Sequence, residues 1–428
     1  MATLSDWSDT ELAERHALLT DAYAEIGRRN LQLDLTRGKP AADQLDLSNA
    51  LDGILDSYIL QDGTDVRNYG GILGIPEARA LGGRLLDIEP AAVLAGGNSS
   101  LNLMYHFVNY RLESGPAGAP GWRTTASDPV RFICPVPGYD RHFTVCDHFD
   151  IGMVNVGFTA DGPDMDAVEA LVQADPSIKG MWCIPKYSNP TGHTYSDATV
   201  ERFARLPKIA GPGFTIFWDN AYAVHTLTGQ AAPLANLLKL ARAAGTADNV
   251  VMFASTSKIT FAGAGVAFLA ASEANLNGFE DYLTASVIGF DKVNQLRHAK
   301  FLPDDAAIAS LMQQHRALIA PKFELVEAKL QAALGDKGIA TWTQPDGGYF
   351  VSLDVRPGLA SEIVKLAADV GVKLTPAGAT FPGGHDPNDE NIRIAPTFPP
   401  LEDLSAALDV LVVCVELATA THQMGSRS

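Results

Sequence analysis

Positive charge is scarce in this chain. Across 428 residues, 32 Lys and Arg face 50 Asp and Glu, for a formal net charge of −18 and a pI near 4.9. A nucleic-acid surface needs a basic stripe, so that class is excluded. A local positive pocket for an anionic substrate is not. Cysteine is scarcer still: Cys134, Cys146, Cys183 and Cys414 are scattered, with no CxxC pair. They read as reduced thiols of a cytoplasmic protein, not a disulfide frame. The histidines show no HExxH or comparable spacing, so no metal site is expected. Residues 1–7 lack the basic and apolar regions of a leader. The most apolar late run, residues 411–415, is short and flanked by Asp409 and Glu416, so no membrane span is expected. Repeats and low-complexity tracts are also absent.

What is present fits a globular protein large enough for two domains, with 46% apolar and 19% charged residues. Residues 9–30 read as an amphipathic helix, with Leu12, His16, Leu19 and Tyr23 at helical spacing. Gly38 and Pro40 then break regular structure, leaving Arg37 and Lys39 on a loop that is either a solvated turn or an anion-facing one. From residue 130 onward short apolar runs alternate with helical patterns. Strands are expected at 130–134, 151–156, 180–184, 214–218, 250–254 and 265–270, and helices at 164–173 and 196–205. This alternation predicts a mostly parallel α/β sheet, whose ligands gather beyond the carboxyl ends of the strands.

Lys258 stands just past one such end, after Ser255-Thr256-Ser257. A lysine there either decorates the surface or, if its surroundings keep it partly neutral, condenses with a carbonyl cofactor. The other strand ends favour the second reading. They carry Pro137-Gly138-Tyr139-Asp140-Arg141, Ser188-Asn189-Pro190-Thr191-Gly192 and Asp219-Asn220-Ala221-Tyr222. One rim thus collects an aromatic face, an amide, a carboxylate, a phenol, hydroxyls and an amine. Upstream, Gly96-Gly97-Asn98-Ser99-Ser100 joins a strand to a helix N-terminus, where free N–H groups and the helix dipole can cradle a phosphate. Asn98 or Ser99 could equally be a plain N-cap. Together these parts answer the needs of pyridoxal phosphate: an amine for the Schiff base, a carboxylate for the pyridine nitrogen, an amide and a phenol for the ring oxygen, and an anion cradle.

Asn189-Pro190-Thr191-Gly192, Asp219-Asn220-Ala221-Tyr222, Ser255-Thr256-Ser257-Lys258 and Asn391-Ile392-Arg393-Ile394 resemble the fold-type I aminotransferases. Leu35-Thr36-Arg37-Gly38-Lys39-Pro40, Arg67-Asn68-Tyr69-Gly70-Gly71, Pro135-Val136-Pro137-Gly138-Tyr139-Asp140-Arg141-His142 and Lys292-Val293-Asn294-Gln295-Leu296-Arg297-His298 are similar to the class Ic aspartate aminotransferase branch. The resemblance covers roughly residues 10 to 420. It implies an α/β fold: a large domain with a mostly parallel mixed sheet flanked by helices, and a smaller α+β domain. Lys258 would be the Schiff-base lysine and proton shuttle, and Asp219 the pyridine partner. Asn189 and Tyr222 would contact the ring oxygen, and Tyr139 would stack on the ring. Asn98, Ser99, Ser100, Ser255 and Ser257 are the phosphate candidates. Arg393 would grip the substrate α-carboxylate, with Gly38 and Asn189 nearby. Arg37, Lys39 and Arg141 are the candidates for a second carboxylate. Tyr69 would reach the phosphate of the other subunit, implying a homodimer with shared sites.

One departure stands out. Positions 265 and 266, where the resemblance implies a phosphate-binding arginine, are Gly265 and Val266; a lysine or arginine from elsewhere, with Lys292 and Arg297 among the candidates, would replace it. The implied layout is residues 1–60 packing with the small domain, 61–305 as the cofactor domain and 306–428 as the small domain. A long helix is expected at 306–334 and a strand at 347–351. The expected activity is aspartate:2-oxoglutarate transamination by a ping-pong route. The alternatives are a transaminase for an aromatic amino acid, kynurenine or 2-aminoadipate, a lyase using the same cofactor, and a non-enzymatic effector module. No DNA-binding-sized segment precedes the fold, which counts against the last.

Overall fold

The computed structural model describes residues 8–125, 129–230 and 233–427; residues 1–7, where no leader is expected, lie outside them. Its centre is a seven-stranded sheet. From one edge to the other run Val93–Ala95, Ala267–Ala271, Val250–Ser255, Thr215–Asp219, Ile178–Cys183, Arg131–Pro135 and Gly152–Val156. Ala267–Ala271 is antiparallel to both its neighbours, and the remaining pairs are parallel. The central strands are buried on both faces, as in Thr215–Asp219. They therefore read as continuous apolar runs and not as alternating ones.

Flanking helices start where local chemistry favours it. Pro76 occupies the first turn of Pro76–Leu86. Asp164 caps Met165–Ala174, Ser196 caps Asp197–Arg205 and Asp304 caps Asp305–Leu334, each accepting a backbone N–H of the first turn. The parallel strands end at one rim, so the loops after them meet there.

A second core lies beside the sheet. Leu12, Leu19 and Ile26 of helix Asp9–Arg28 pack with Leu404, Leu408, Leu411 and Val415. They are joined by the antiparallel strands Ala340–Trp342, Val351–Val355 and Asn391–Ile394. Helix Asp305–Leu334 bridges the two cores: Ile308, Leu311 and Met312 sit in the first, and Val326, Leu330 and Leu334 in the second.

Two expectations change. The apolar run 411–415 is not short in structure, since it belongs to a 27-residue helix, Leu401–Arg427. That helix is long and apolar enough to cross a membrane, yet most of its apolar window is buried in the second core. The strand expected at 347–351 starts at Val351 instead. Gly347 and Gly348 form a tight bend against Tyr187, and a Cβ on Gly347 would lie 2.0 Å from that ring. Extended apolar residues follow only after the bend.

Candidate active site

The rim draws together side chains far apart in sequence. Asp219, the last residue of its strand, is 2% exposed. Its Oδ2 lies 3.2 Å from His142 Nε2, while Oδ1 is buried with no partner. Three residues on, Tyr222 is buried, and the Lys258 Nζ sits 4.8 Å from its ring centroid. Burial is the main force raising the Tyr222 phenol well above its ordinary range, and Asp219 adds to it. Tyr139 is pushed up to about 12, again chiefly by burial, although Lys258 pulls the other way. A phenol held this high stays protonated and serves as a hydrogen-bond donor.

Asn189 is 2% exposed, and its Nδ2 has no partner. Its Oδ1 faces Arg393 Nη1 at 3.5 Å. Arg393 itself is 8% exposed, with further contacts to Asp140 at 3.4 Å and Thr375 at 3.5 Å. These are long for charge-assisted bonds, and the Arg393 Nε is unpaired. The guanidinium lies over the ring of Phe350, 4.9 Å from its centroid. Its strand is pinned by Asn391, whose side chain bonds Ser352 at 2.8 Å, Asp354 at 2.7 Å and Thr380 at 2.8 Å. A positioned but underused guanidinium is suited to an incoming carboxylate.

The phosphate candidates form a second cluster. Ser99 caps helix Ser100–Glu113 by accepting the Asn102 N–H. The Asn98 side chain donates to the Gly263 carbonyl at 3.0 Å, and Ser257 Oγ donates to the Asn98 carbonyl at 3.3 Å. This ties the Gly96-Gly97 turn to the Lys258 turn. Ser255 ends the neighbouring strand. Asn294 donates to the carbonyls of Ala264 and Gly265, so helix Lys292–Phe301 lies against the turn that holds Gly265. Lys292 is committed elsewhere: its Nζ donates to the carbonyls of Tyr69 at 3.1 Å and Gly70 at 2.8 Å. Arg297 is half-buried and has no hydrogen bond or ion pair among the described residues. The Tyr69 ring is 83% exposed on the loop that Lys292 holds.

The three remaining cations face solvent. Arg37 pairs with Asp34 at 3.5 Å, and Arg141 lies 3.9 Å from Asp140. The Lys39 ammonium rests over Phe398, 4.2 Å from the centroid. Gly38, between two of them, meets the Phe350 ring so closely that a Cβ would come within 2.1 Å of it. This loop therefore packs directly against the ring beneath Arg393.

Sequence reasoning assigned no role to His142 or Asp140. His142 links Asp219 to the core: it stacks on Trp182 at 4.3 Å, and the Trp182 indole donates to Cys146 Sγ at 3.2 Å. Helical spacing was the available signal, since His142 stands one turn after Tyr139.

A doubly flanked sheet with this constellation at its carboxyl rim defines a fold-type I pyridoxal-phosphate aminotransferase. The chain belongs to the aspartate aminotransferase family, whose model matches residues 7–427. A Mycolicibacterium smegmatis protein named "putative aminotransferase", with no stated substrate, is 49% identical over 97% of this chain and 98% of its own length. An aspartate aminotransferase of Corynebacterium glutamicum is 43% identical over 98% of this chain and 97% of its own. The crystal structure of an aspartate transaminase from C. glutamicum superimposes with a TM-score of 0.94 at 42% identity, covering 98% and 99% of the two chains.

Proposed function

We propose that this chain binds pyridoxal 5'-phosphate and transfers the amino group of aspartate to 2-oxoglutarate by a ping-pong route. The observation that carries the reading is the pair of buried, unpartnered atoms Asp219 Oδ1 and Asn189 Nδ2, set around Lys258 and Tyr222. Buried polar atoms are rarely left unpaired. An acceptor and a donor so placed match the pyridinium N–H and the ring oxygen of the cofactor.

When bound, pyridoxal phosphate supplies an electron sink conjugated to the substrate Cα. The protein does the rest. Asp219 keeps the pyridine nitrogen protonated, and His142 holds the carboxylate in place. Asn189 and Tyr222 donate toward the ring oxygen, and Tyr139 covers the ring. The start of helix Ser100–Glu113, with Asn98, Ser99, Ser100, Ser255 and Ser257, holds the phosphate. Arg297 supplies the cation missing at position 266. Arg393 takes the α-carboxylate, exchanging its long contacts with Asp140 and Asn189 for a bidentate pair. Lys258 would anchor the cofactor through its amine and, with that amine free, would hold and move the proton at the substrate Cα.

Two copies form a homodimer, with the exposed Tyr69 of each completing the other's phosphate site. Residues 61–305 form the cofactor domain, 306–428 the small domain, and 1–60 pack with the latter. The four cysteines are free and buried, in keeping with a cytoplasmic protein. A dicarboxylic donor needs a second cation, and Arg37, Lys39 and Arg141 stand around the entrance. Their solvent exposure supports a second reading, a broader donor range that takes in aromatic amino acids or 2-aminoadipate.

Half-reactions with aspartate and alanine decide between the readings. Wild type should favour aspartate by roughly ten- to a hundred-fold, the worth of one charge-assisted pair. At least one of Arg37→Ala, Lys39→Ala and Arg141→Ala should lose aspartate efficiency with little change for alanine. Equal effects on both donors would remove the dicarboxylate assignment.

A further inference from the structure

The turn that carries Lys258 is held from behind by side chains of three other segments, and a fourth backs these. His225, three residues past Tyr222, places Nε2 3.0 Å from the Lys258 carbonyl oxygen. His315, in helix Asp305–Leu334, places Nε2 2.8 Å from the Ile259 carbonyl oxygen. The Tyr349 hydroxyl lies 3.5 Å from the Lys258 oxygen. Behind them, Gln44 Nε2 reaches Tyr349 Oη at 3.0 Å and His315 Nδ1 at 3.3 Å, while its Oε1 accepts the Ala41 N–H at 3.2 Å. Gln44 is 0% exposed, and His225, His315 and Tyr349 are 1% each.

The directions of these bonds follow from valence. A carbonyl only accepts, so both imidazoles carry their proton on Nε2 and present a lone pair on Nδ1. Gln44 donates to that lone pair on His315, and His225 Nδ1 has no partner. The turn cannot supply these donors itself. The N–H groups of Ile259 and Thr260 are both spent on the Thr256 carbonyl, which leaves the carbonyls of 258 and 259 to outside donors. Neither histidine touches the rim side chains that face the cofactor site through a hydrogen bond, so reactant contact does not explain them.

We infer that His225 and His315 are positioning residues for Lys258. They fix the peptide planes from which its side chain departs, and Gln44 locks the tautomer of His315. The inference rests on the reading of Lys258 as the reacting amine. A lysine side chain has four torsions, so its amine is placed only as well as its backbone root. Misplacement of a reacting atom by about 1 Å can cost on the order of a hundred-fold in rate. The network also links the lysine to the N-terminal segment, the long helix and the Tyr349 loop.

Two pairs of variants test this. His225→Leu and His315→Leu remove the Nε2 donor, whereas His225→Gln and His315→Gln keep an N–H donor near the same place. Each is prepared as apoenzyme and mixed with pyridoxal phosphate. Covalent capture, in which amine and aldehyde join with loss of one water, is followed by absorbance, then by borohydride trapping and peptide mapping. Steady-state kcat and KM for aspartate are measured alongside. The Leu forms should slow both capture and kcat by roughly tenfold or more with KM nearly unchanged, and the Gln forms should recover most of the loss. Leu and Gln forms that fall alike, or that all stay near wild type, overturn the inference. If one Leu form fails to fold, the pair at the other position decides by the same criterion. Mapping separates the two claims. An adduct on another lysine defeats the reading of Lys258, whereas an adduct on Lys258 captured at unaltered rate defeats only the positioning role.

Discussion

Asp219 combines an unpartnered Oδ1 with a histidine-bound Oδ2, and each oxygen has its own consequence. Replacing the carboxylate should unpair the pyridine nitrogen and weaken the electron sink. Asp219→Ala should lose more than tenfold in turnover, a barrier increase of at least about 1.4 kcal/mol, and should bind pyridoxal phosphate more weakly in an apoenzyme titration. Turnover close to wild type would remove Asp219 from the role. His225 carries a different signature. Burial above all depresses its pKa to about 3, against the ordinary 6.5; the bond to the Lys258 carbonyl opposes the shift, and the charges of His315 and Lys258 add to it. The native state therefore keeps it neutral where the unfolded chain takes up a proton. Its contribution to stability is complete above pH 6.5 and declines as pH falls toward 3, by about 1.4 kcal/mol per pH unit. His225→Gln should flatten the decline of melting temperature between pH 7 and pH 5. A slope equal to that of wild type would show that the native imidazole titrates normally.

At the scale of elements, the bend before strand Val351–Val355 shows how backbone proximity shapes the site. A Cβ on Gly347 would lie 2.0 Å from Tyr187 Cε2 and 2.4 Å from the His225 carbonyl oxygen. The second contact is backbone and cannot rotate away. Gly347→Ala should therefore cost about 1–3 kcal/mol, the usual range for overpacking, and should lower the melting temperature. The displaced His225 loop should also reduce kcat more than KM. A variant with wild-type melting and kinetics would mean that the bend yields without cost. The same bend is why the expected strand starts late: a glycine pair before an apolar run looks like the start of a strand, although here it permits close approach.

At the scale of the whole molecule, the surface around Tyr69 bears on assembly. The ring is exposed, while the loop beneath it is fastened by a buried Lys292. Lysine burial is costly without partners, so the protein holds an outward-facing aromatic ring in a defined place. If that ring completes a partner's site, mixing Tyr69→Phe with Lys258→Ala should form heterodimers with one intact site. Their activity should exceed that of both parents. No rise, with subunit exchange shown separately by native mass spectrometry, would confine each site to one chain.

The sequence by itself determined the order of strands and helices, because apolar runs bounded by caps and glycines are local signals. It also placed Lys258, Asp219, Tyr222, Asn189 and Tyr139 at strand ends, where the parallel α/β pattern gathers ligands. Tertiary structure alone decided which of them share bonds. Arg393 meets Asn189 across 204 positions, His142 meets Asp219 across 77, and Gln44 meets Tyr349 across 305. No local periodicity encodes such pairings, since they depend on strand register and on how two cores dock. The fate of the late apolar run was likewise settled by packing. Composition alone would let helix Leu401–Arg427 enter a lipid phase, but Leu12 and Leu19 of the first helix help bury its apolar face. A hydrophobic stripe is local information, and the partner that covers it is not.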